Sequence, residues 1–379
     1  MRIEEFGVEL WMNAHETHCA YNLAETCVRS LSVDEVLAFS GRREEVLAEL
    51  TGLRLTYGAI EGTARLRSLI AGLYEHQSAD NVVVTHGAIG ANSLVHRALV
   101  DPGDRVVSVL PTYQQHQSIP ESLGADVVTT TLREEHGWQL DLAELERLAT
   151  PGTKLIALTN PNNPTGALLD ADTLQRVVDI ARSAGAWILA DEVYRGTDQE
   201  GDGSTPSIAD LYEKGIAVGS MSKPFSLAGL RLGWIVAPED VLLGVGIHRD
   251  YDTISVSQVD DLLASVALES KEQILERART ITRRNLGVLD AWVASRADVG
   301  YVRPASGTTA LLRFASDVPS YAFCEGLLKD TGVLLTPGAA FGIEGTARIG
   351  YADDTDTLRS GLALLGQYLD RLGGSTGRD

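Results

Sequence analysis

Between about residue 60 and residue 240, short apolar runs alternate with amphipathic stretches, and this alternation leaves few architectures open. Val82-Val83-Val84, Val106-Val107-Ser108-Val109-Leu110, Leu155-Ile156-Ala157-Leu158 and Ile188-Leu189-Ala190 are nearly continuous apolar segments. Runs of that kind belong to strands buried on both faces rather than to half-exposed strands, which alternate. Thr63 to Glu75 and Asp170 to Ala184 carry apolar residues at helical spacing, with Thr63 and Asp170 placed to start them. Strands separated by helices build a mostly parallel sheet wrapped by helices. Ligands of such sheets gather at the carboxyl ends of the strands. The residues just after each run are therefore the functional candidates.

The segment Ser220-Met221-Ser222-Lys223-Pro224-Phe225 places a lysine among small, hydroxylated and apolar residues, with no acid nearby in sequence. A lysine amine attacks a carbonyl only when neutral, and desolvation lowers its pKa, so a depressed pKa is expected at Lys223. Ser220, Ser222 and Arg231 supply hydroxyls and a cation suited to a phosphate. A lysine beside a phosphate clamp is what pyridoxal phosphate requires. Asn160-Pro161-Asn162-Asn163-Pro164-Thr165-Gly166 makes a rigid turn after one strand, and its Asn163 amide is placed to donate to a phenolate oxygen. Asp191 ends the next strand, where a carboxylate would hold a pyridine nitrogen protonated; Tyr194 comes three residues later. Gly87, Ala88 and Ile89 open a helix after Val82–His86, offering backbone N–H groups to the phosphate, and Tyr113 offers a ring to stack on the cofactor.

Together these segments resemble the fold-type I, class I/II aminotransferases of the aspartate aminotransferase superfamily, over nearly the whole chain. The resemblance implies an α/β fold-type I enzyme: a large domain with a mostly parallel sheet flanked by helices, and a smaller α+β domain. It implies pyridoxal 5'-phosphate as cofactor and Lys223 as its internal aldimine lysine and general acid/base. Asp191 falls at the pyridine nitrogen, with Asn163 and Tyr194 at the phenolate oxygen. Ser220, Ser222, Arg231 and the backbone from Gly87 to Ile89 fall at the phosphate, with Tyr113 stacking. Tyr57 looks like the tyrosine that reaches the neighbouring subunit's phosphate in a homodimer with shared sites. Arg348, in Ala347-Arg348-Ile349-Gly350-Tyr351, resembles the arginine that binds the substrate α-carboxylate.

Substrate choice is expected in two acidic regions. The arm carries Glu16 and Glu25, and Arg249-Asp250-Tyr251-Asp252 lies where related enzymes meet the substrate side chain, sometimes across the dimer. Carboxylates at Glu16, Glu25 and Asp252 suit a cationic amino acid, unless they are solvated or paired with Arg249. Transamination between an amino acid and a keto acid is the leading expectation. Fainter similarity to capreomycidine synthase-type cyclases and arginine oxidases makes cyclisation or oxidation of a guanidino amino acid the alternative, although Cys27 stands where some arginine oxidases carry histidine. A C–S lyase and a non-catalytic ligand sensor are further readings, the sensor disfavoured by the intact lysine set.

The organisation implied is an arm and part of the small domain over 1–45, a large cofactor domain over 46–260, and a linking helix with the small domain over 261–379. One long helix is expected from Gln258 to Arg296, with small-domain strands at Thr309–Phe314, Gly332–Thr336 and Ala347–Tyr351, and a disordered tail from Gly373 to Asp379. A net charge of −20 disfavours nucleic acid and anionic membranes as partners. No apolar run approaches a membrane span and residues 1–6 contain no secretory core, so a cytoplasmic protein is expected. Cys19, Cys27 and Cys324 are scattered and form no disulfide framework. His15, His18 and Cys19 read as a surface helix rather than a metal site.

Overall fold

The computed structural model describes residues 2–375. A seven-stranded sheet runs in the order Val82–His86, Leu232–Val236, Gly215–Ser220, Trp187–Asp191, Leu155–Thr159, Arg105–Leu110, Asp126–Thr131. Leu232–Val236 lies antiparallel to both of its neighbours; the remaining pairings are parallel. Both faces are covered. Val82, Val84, Ile156, Leu158, Ile188 and Ala190 enter one core, while Val83, Leu155 and Leu189 enter the core on the opposite face. Two buried faces are why these strands read as continuous apolar runs.

Helix Ala64–Ala71 starts at Thr63, whose hydroxyl accepts from the Leu66 N–H. Helix Ala171–Ala184 starts at Asp170, whose carboxylate accepts from Thr173 N–H. In each, the side chain satisfies one backbone donor that the first turn leaves free.

A second sheet joins Val299–Gly300, Thr309–Phe314, Thr346–Gly350 and Thr336–Pro337, all antiparallel. Tyr21–Asn22 pairs in parallel with Val333–Leu334, so the N-terminal arm is built into this part of the molecule. Helix Lys271–Ala294 connects the two: Ile274 packs in the large-sheet core, Leu286 and Leu289 in the smaller one.

Three expectations need correction. The stretch from Gln258 is two helices, Gln258–Glu269 and Lys271–Ala294, because Ser270 leaves helical geometry at φ −109°, ψ 23°. Gly332–Thr336 is split at Leu335, whose carbonyl accepts the Trp11 indole N–H at 2.8 Å while the flanking pairs join different sheets. The final helix, Thr355–Ser375, continues through Gly373; the rest of the expected tail, Thr376–Asp379, lies outside the described residues. Among the described residues no helix is long and apolar enough to cross a membrane.

Candidate active site

Parallel pairing brings the strand ends to one edge of the sheet. Thr159 registers with Asp191, and Asp191 with Val218, just before Ser220. A cavity of about 290 Å³ opens there, lined by Tyr113, Asn163, Asp191, Tyr194, Lys223 and Arg348 among others. A larger one, about 470 Å³, lies behind Glu192 and shares Val193 and Ser220, but it contains neither Lys223, Asp191 nor Arg348. The smaller cavity holds the convergent reactive groups.

At one end it presents anion donors. Helix Gly87–Leu99 begins here with no side-chain cap, so its first N–H groups and positive dipole end face the opening. Ala88, Ile89, Ser220, Ser222 and Arg231 line this end. Gly87 sits behind them at φ +65°, and a Cβ there would lie 3.1 Å from Arg231 Nη2. Gly233 allows the same close approach: its Cβ would lie 2.5 Å from Ala88 N. Arg231 has no carboxylate within ion-pair distance among the described residues; its Nη1 donates to the Ala228 carbonyl at 2.8 Å.

Deeper in the cavity, Asp191 is 4% exposed. Asn92 Nδ2 donates to its Oδ2 at 2.8 Å, and Val193 N–H donates to its Oδ1 at 3.2 Å. His116 Nε2 lies 3.9 Å from Oδ2, and His116 Nδ1 is 3.3 Å from His96 Nε2. Burial, with His116 beside it, holds the His96 pKa well below its ordinary value. Asn92 and His116 were missed from sequence. Each lies inside a helix, separated from Asp191 by many residues, and no spacing links them.

The NPNNPTG turn divides its asparagines. Asn160 bonds both backbone groups of Leu169, and Asn162 bonds Thr165 and the Pro111 carbonyl. Asn163 alone of the three turns into the cavity, where its Oδ1 accepts from Arg348 Nη1 at 3.2 Å. Its amide donor is thereby left facing the cavity.

Lys223 Nζ donates to Thr26 Oγ1 at 2.5 Å, lies 3.6 Å from Cys27 Sγ and sits 5.9 Å from the centre of the Tyr194 ring. The expected depression of the Lys223 pKa is opposed by its neighbours. Burial does push the amine down, but Cys27, Tyr194 and Glu25 outweigh it and the net direction is up. Burial pushes the Cys27 thiol itself up to about 11, so at neutral pH it is uncharged and its share of that push is absent. Burial would raise Glu25 too, yet Lys223 and the N–H groups of Thr26 and Cys27, at 2.7 and 2.8 Å, hold it below its ordinary value.

Arg348 is 2% exposed and has no carboxylate within ion-pair distance among the described residues. Its Nη2 donates to the Ala24 carbonyl and Thr336 Oγ1, both at 3.1 Å, while Nε has no partner. Burial lowers its pKa. A buried guanidinium without a counter-ion is unstable unless a ligand completes it. Three acids, Glu9, Glu16 and Glu25, line the same cavity. Glu9, which sequence reasoning did not single out, accepts from the Tyr113 hydroxyl at 2.5 Å. Glu16 lines the cavity, and burial followed by the Glu25 and Glu9 carboxylates raises its pKa.

Two expected residues lie elsewhere. Asp252 is exposed and 3.6 Å from Arg97, outside this chain's cavity. Tyr57 is 78% exposed on a loop and likewise does not line it. Arg249 is buried and lies 3.7 Å from Asp250, not Asp252.

Residues 30–363 match the family described as Aminotransferase class I and II. The chain belongs to that family. Capreomycidine synthase of Streptomyces vinaceus is 31% identical over 85% of this chain and 82% of its own. The arginine–pyruvate transaminase AruH of Pseudomonas aeruginosa is 29% identical over 80% and 79%. A crystal structure of a PLP-dependent aminotransferase from Streptococcus suis superposes with a TM-score of 0.95, at 43% identity, covering 98% of this chain and 99% of that one. The protein is thus a fold-type I, pyridoxal phosphate-dependent aminotransferase working on amino acid and keto acid substrates. Its donor set fits the cofactor: an uncapped helix start with an arginine free of carboxylate partners among the described residues for the phosphate, a buried carboxylate for the ring nitrogen, and an amine between them.

Proposed function

We propose that the cavity at the strand ends is the site of amino transfer, with Lys223 holding the cofactor aldehyde. Ser220, Ser222, Arg231 and the Gly87–Ile89 backbone hold the phosphate, and Tyr113 packs on the ring. Asn163 and Tyr194 hold the phenolate oxygen. When bound, pyridoxal phosphate supplies an electron sink that makes the substrate Cα–H acidic. Asp191, fixed by Asn92 and the Val193 amide, keeps the pyridine nitrogen protonated. Arg348 grips the α-carboxylate in a two-pronged contact and so aims the Cα–H. Lys223 moves the α-proton at Nζ, acting first as base and then as acid. The observation that carries this reading is a buried Arg348, without a counter-ion among the described residues, lining one cavity with Lys223 and Asp191.

The favoured donor is an amino acid with a cationic side chain. Glu9, Glu16 and Glu25 line the cavity, and Glu16 is raised by burial and then by its acidic neighbours, a repulsion that a substrate cation would relieve. The relationship to an arginine–pyruvate transaminase supports the same choice. A homodimer completes the reading. Leu55, Tyr57, Leu243 and Tyr251 are 84, 78, 65 and 93% exposed, an apolar load suited to a second copy. Tyr57 and Asp252 then serve the neighbouring site. Residues 1–45, 46–260 and 261–379 form the arm, cofactor domain and small-domain portion of this cytoplasmic enzyme.

The test is borohydride reduction of the loaded enzyme followed by peptide mapping, then a survey of single amino acids. The label belongs on the peptide containing Lys223, and Lys223→Ala is expected to lose turnover by about 10²- to 10⁴-fold. A label on another peptide ends the reading. Arginine cyclisation without an acceptor would select the second reading, which the relationship to capreomycidine synthase favours. Oxygen uptake would select an oxidase, and pyruvate with a thiol from a cystine-like substrate a lyase.

A further inference from the structure

The arm segment Leu23–Val28 is tied along its length to groups in and beside the cavity. The Gly350 N–H donates to the Leu23 carbonyl at 2.7 Å, and Arg348 Nη2 donates to the Ala24 carbonyl. Glu25 accepts the amides of Thr26 and Cys27 on one oxygen, closing a tight turn. Thr308 Oγ1 donates to the Thr26 carbonyl at 2.6 Å, and the Val28 N–H points to the Lys223 carbonyl at 3.4 Å. The turn cannot shift without moving Arg348, Gly350 or the lysine loop. From it the Thr26 hydroxyl reaches Lys223 Nζ at 2.5 Å, the shortest polar contact that amine makes.

We propose that Thr26 is the positioning residue that holds the Lys223 amine whenever that amine is free of the cofactor. This inference rests on Lys223 being the proton-transfer group of the proposed function. An amine on a four-carbon stem has several rotamers, and only those near the substrate Cα are productive. A hydroxyl accepts from the ammonium and donates to the neutral amine, so Thr26 holds Nζ in both protonation states, with the charge-assisted bond to the ammonium the stronger of the two. A carboxylate in its place would hold the ammonium too firmly for it to act as a base. The other groups facing the amine are Cys27, Glu25, Tyr194 across the cavity and Arg348. Glu25 reaches it through the same turn, with an oxygen already committed to the Thr26 and Cys27 amides.

Thr26→Val and Thr26→Ser separate this role from packing. In Thr26→Val, kcat for the amino-acid half-reaction is expected to fall about 10- to 100-fold with KM nearly unchanged, and the isotope effect from Cα deuteration to rise. Thr26→Ser is expected to return kcat to within about three-fold of the parent, since it restores the hydroxyl. A second readout uses cofactor-free protein: the pH dependence of Lys223 acylation, followed peptide by peptide. Its midpoint is expected to drop by about one pH unit in Thr26→Val, because the ammonium loses an acceptor. An unmoved midpoint, or a Ser variant as impaired as the Val variant, overturns the proposal. The acylation midpoint is independent of the reaction the loaded enzyme performs, so failure of the transaminase reading leaves it standing.

Discussion

Replacing Arg348 with lysine tests the site where its geometry is most specific. The guanidinium is buried, bonded to Asn163, Ala24 and Thr336, and has no acid partner among the described residues. Lysine keeps the charge but has no planar fork, so it offers the α-carboxylate one direct bond in place of two. Each charge-assisted hydrogen bond contributes about 1.5–3 kcal/mol. At about 1.4 kcal/mol per tenfold, losing one lowers kcat/KM for amino acids by roughly 10- to 100-fold. The assay is rapid mixing of loaded enzyme with an amino acid and, separately, with the amine lacking its carboxylate, following cofactor absorbance. The amine never used the second bond, so its rate constant is expected to change by less than about three-fold. The cofactor spectrum before mixing is expected to match the parent, since Arg348 lies apart from the phosphate donors. Equal losses with both substrates would show a general disturbance of the cavity, and no loss with either would remove Arg348 from substrate binding.

Asp191→Asn keeps the size and the Asn92 contact but removes the charge; kcat is expected to fall by about 10²-fold or more, and full activity would refute the pyridine role. Glu192 is buried, with an unpartnered Oε2 and a pKa raised by burial to about 7. A raised carboxylate stabilises the fold below its unfolded pKa and loses that contribution as pH rises towards 7. Glu192→Gln is therefore expected to be more stable than the parent at pH 8 by about 1–3 kcal/mol, with the gap closing near pH 4; denaturant midpoints at both pH values decide it. In a dimer with shared sites, mixing Lys223→Ala with Tyr57→Ala subunits leaves one site intact per mixed pair. Activity is expected to return on mixing, and a chain that sediments as a monomer would refute the arrangement.

The sheet and the groups at its edge were legible because they are local: a buried parallel strand is one apolar run, and the residues at its carboxyl end stand at the ligand edge. Asn163, Asp191 and Lys223 each come at or just after the end of such a run. Asn92, Glu9 and Thr26 reach the same cavity, and His116 the back of Asp191, through tertiary packing, at separations where periodicity carries no information; Thr26 meets Lys223 across 197 positions. The break at Ser270 was missed because apolar spacing continues on both sides of it. Asp252 was singled out by its place in the chain and its charge; within this chain it is exposed beside Arg97.

One signal for the arm was present and unread. Gly350 closes the strand Thr346–Gly350, two residues past Arg348, where a side chain would ordinarily pack. A glycine in a strand marks a close backbone approach. Here that backbone is the arm: a Cβ at Gly350 would lie 1.7 Å from the Glu25 carbonyl oxygen. Next along the chain from Glu25 come Thr26 and Cys27, the two residues on the lysine amine. The Arg-Ile-Gly spacing thus encodes a crossing that brings the N-terminal arm onto Arg348, and through it onto Lys223. By the same logic the arm is part of the cavity wall, and any residue larger than glycine at position 350 has to displace the turn that carries Thr26.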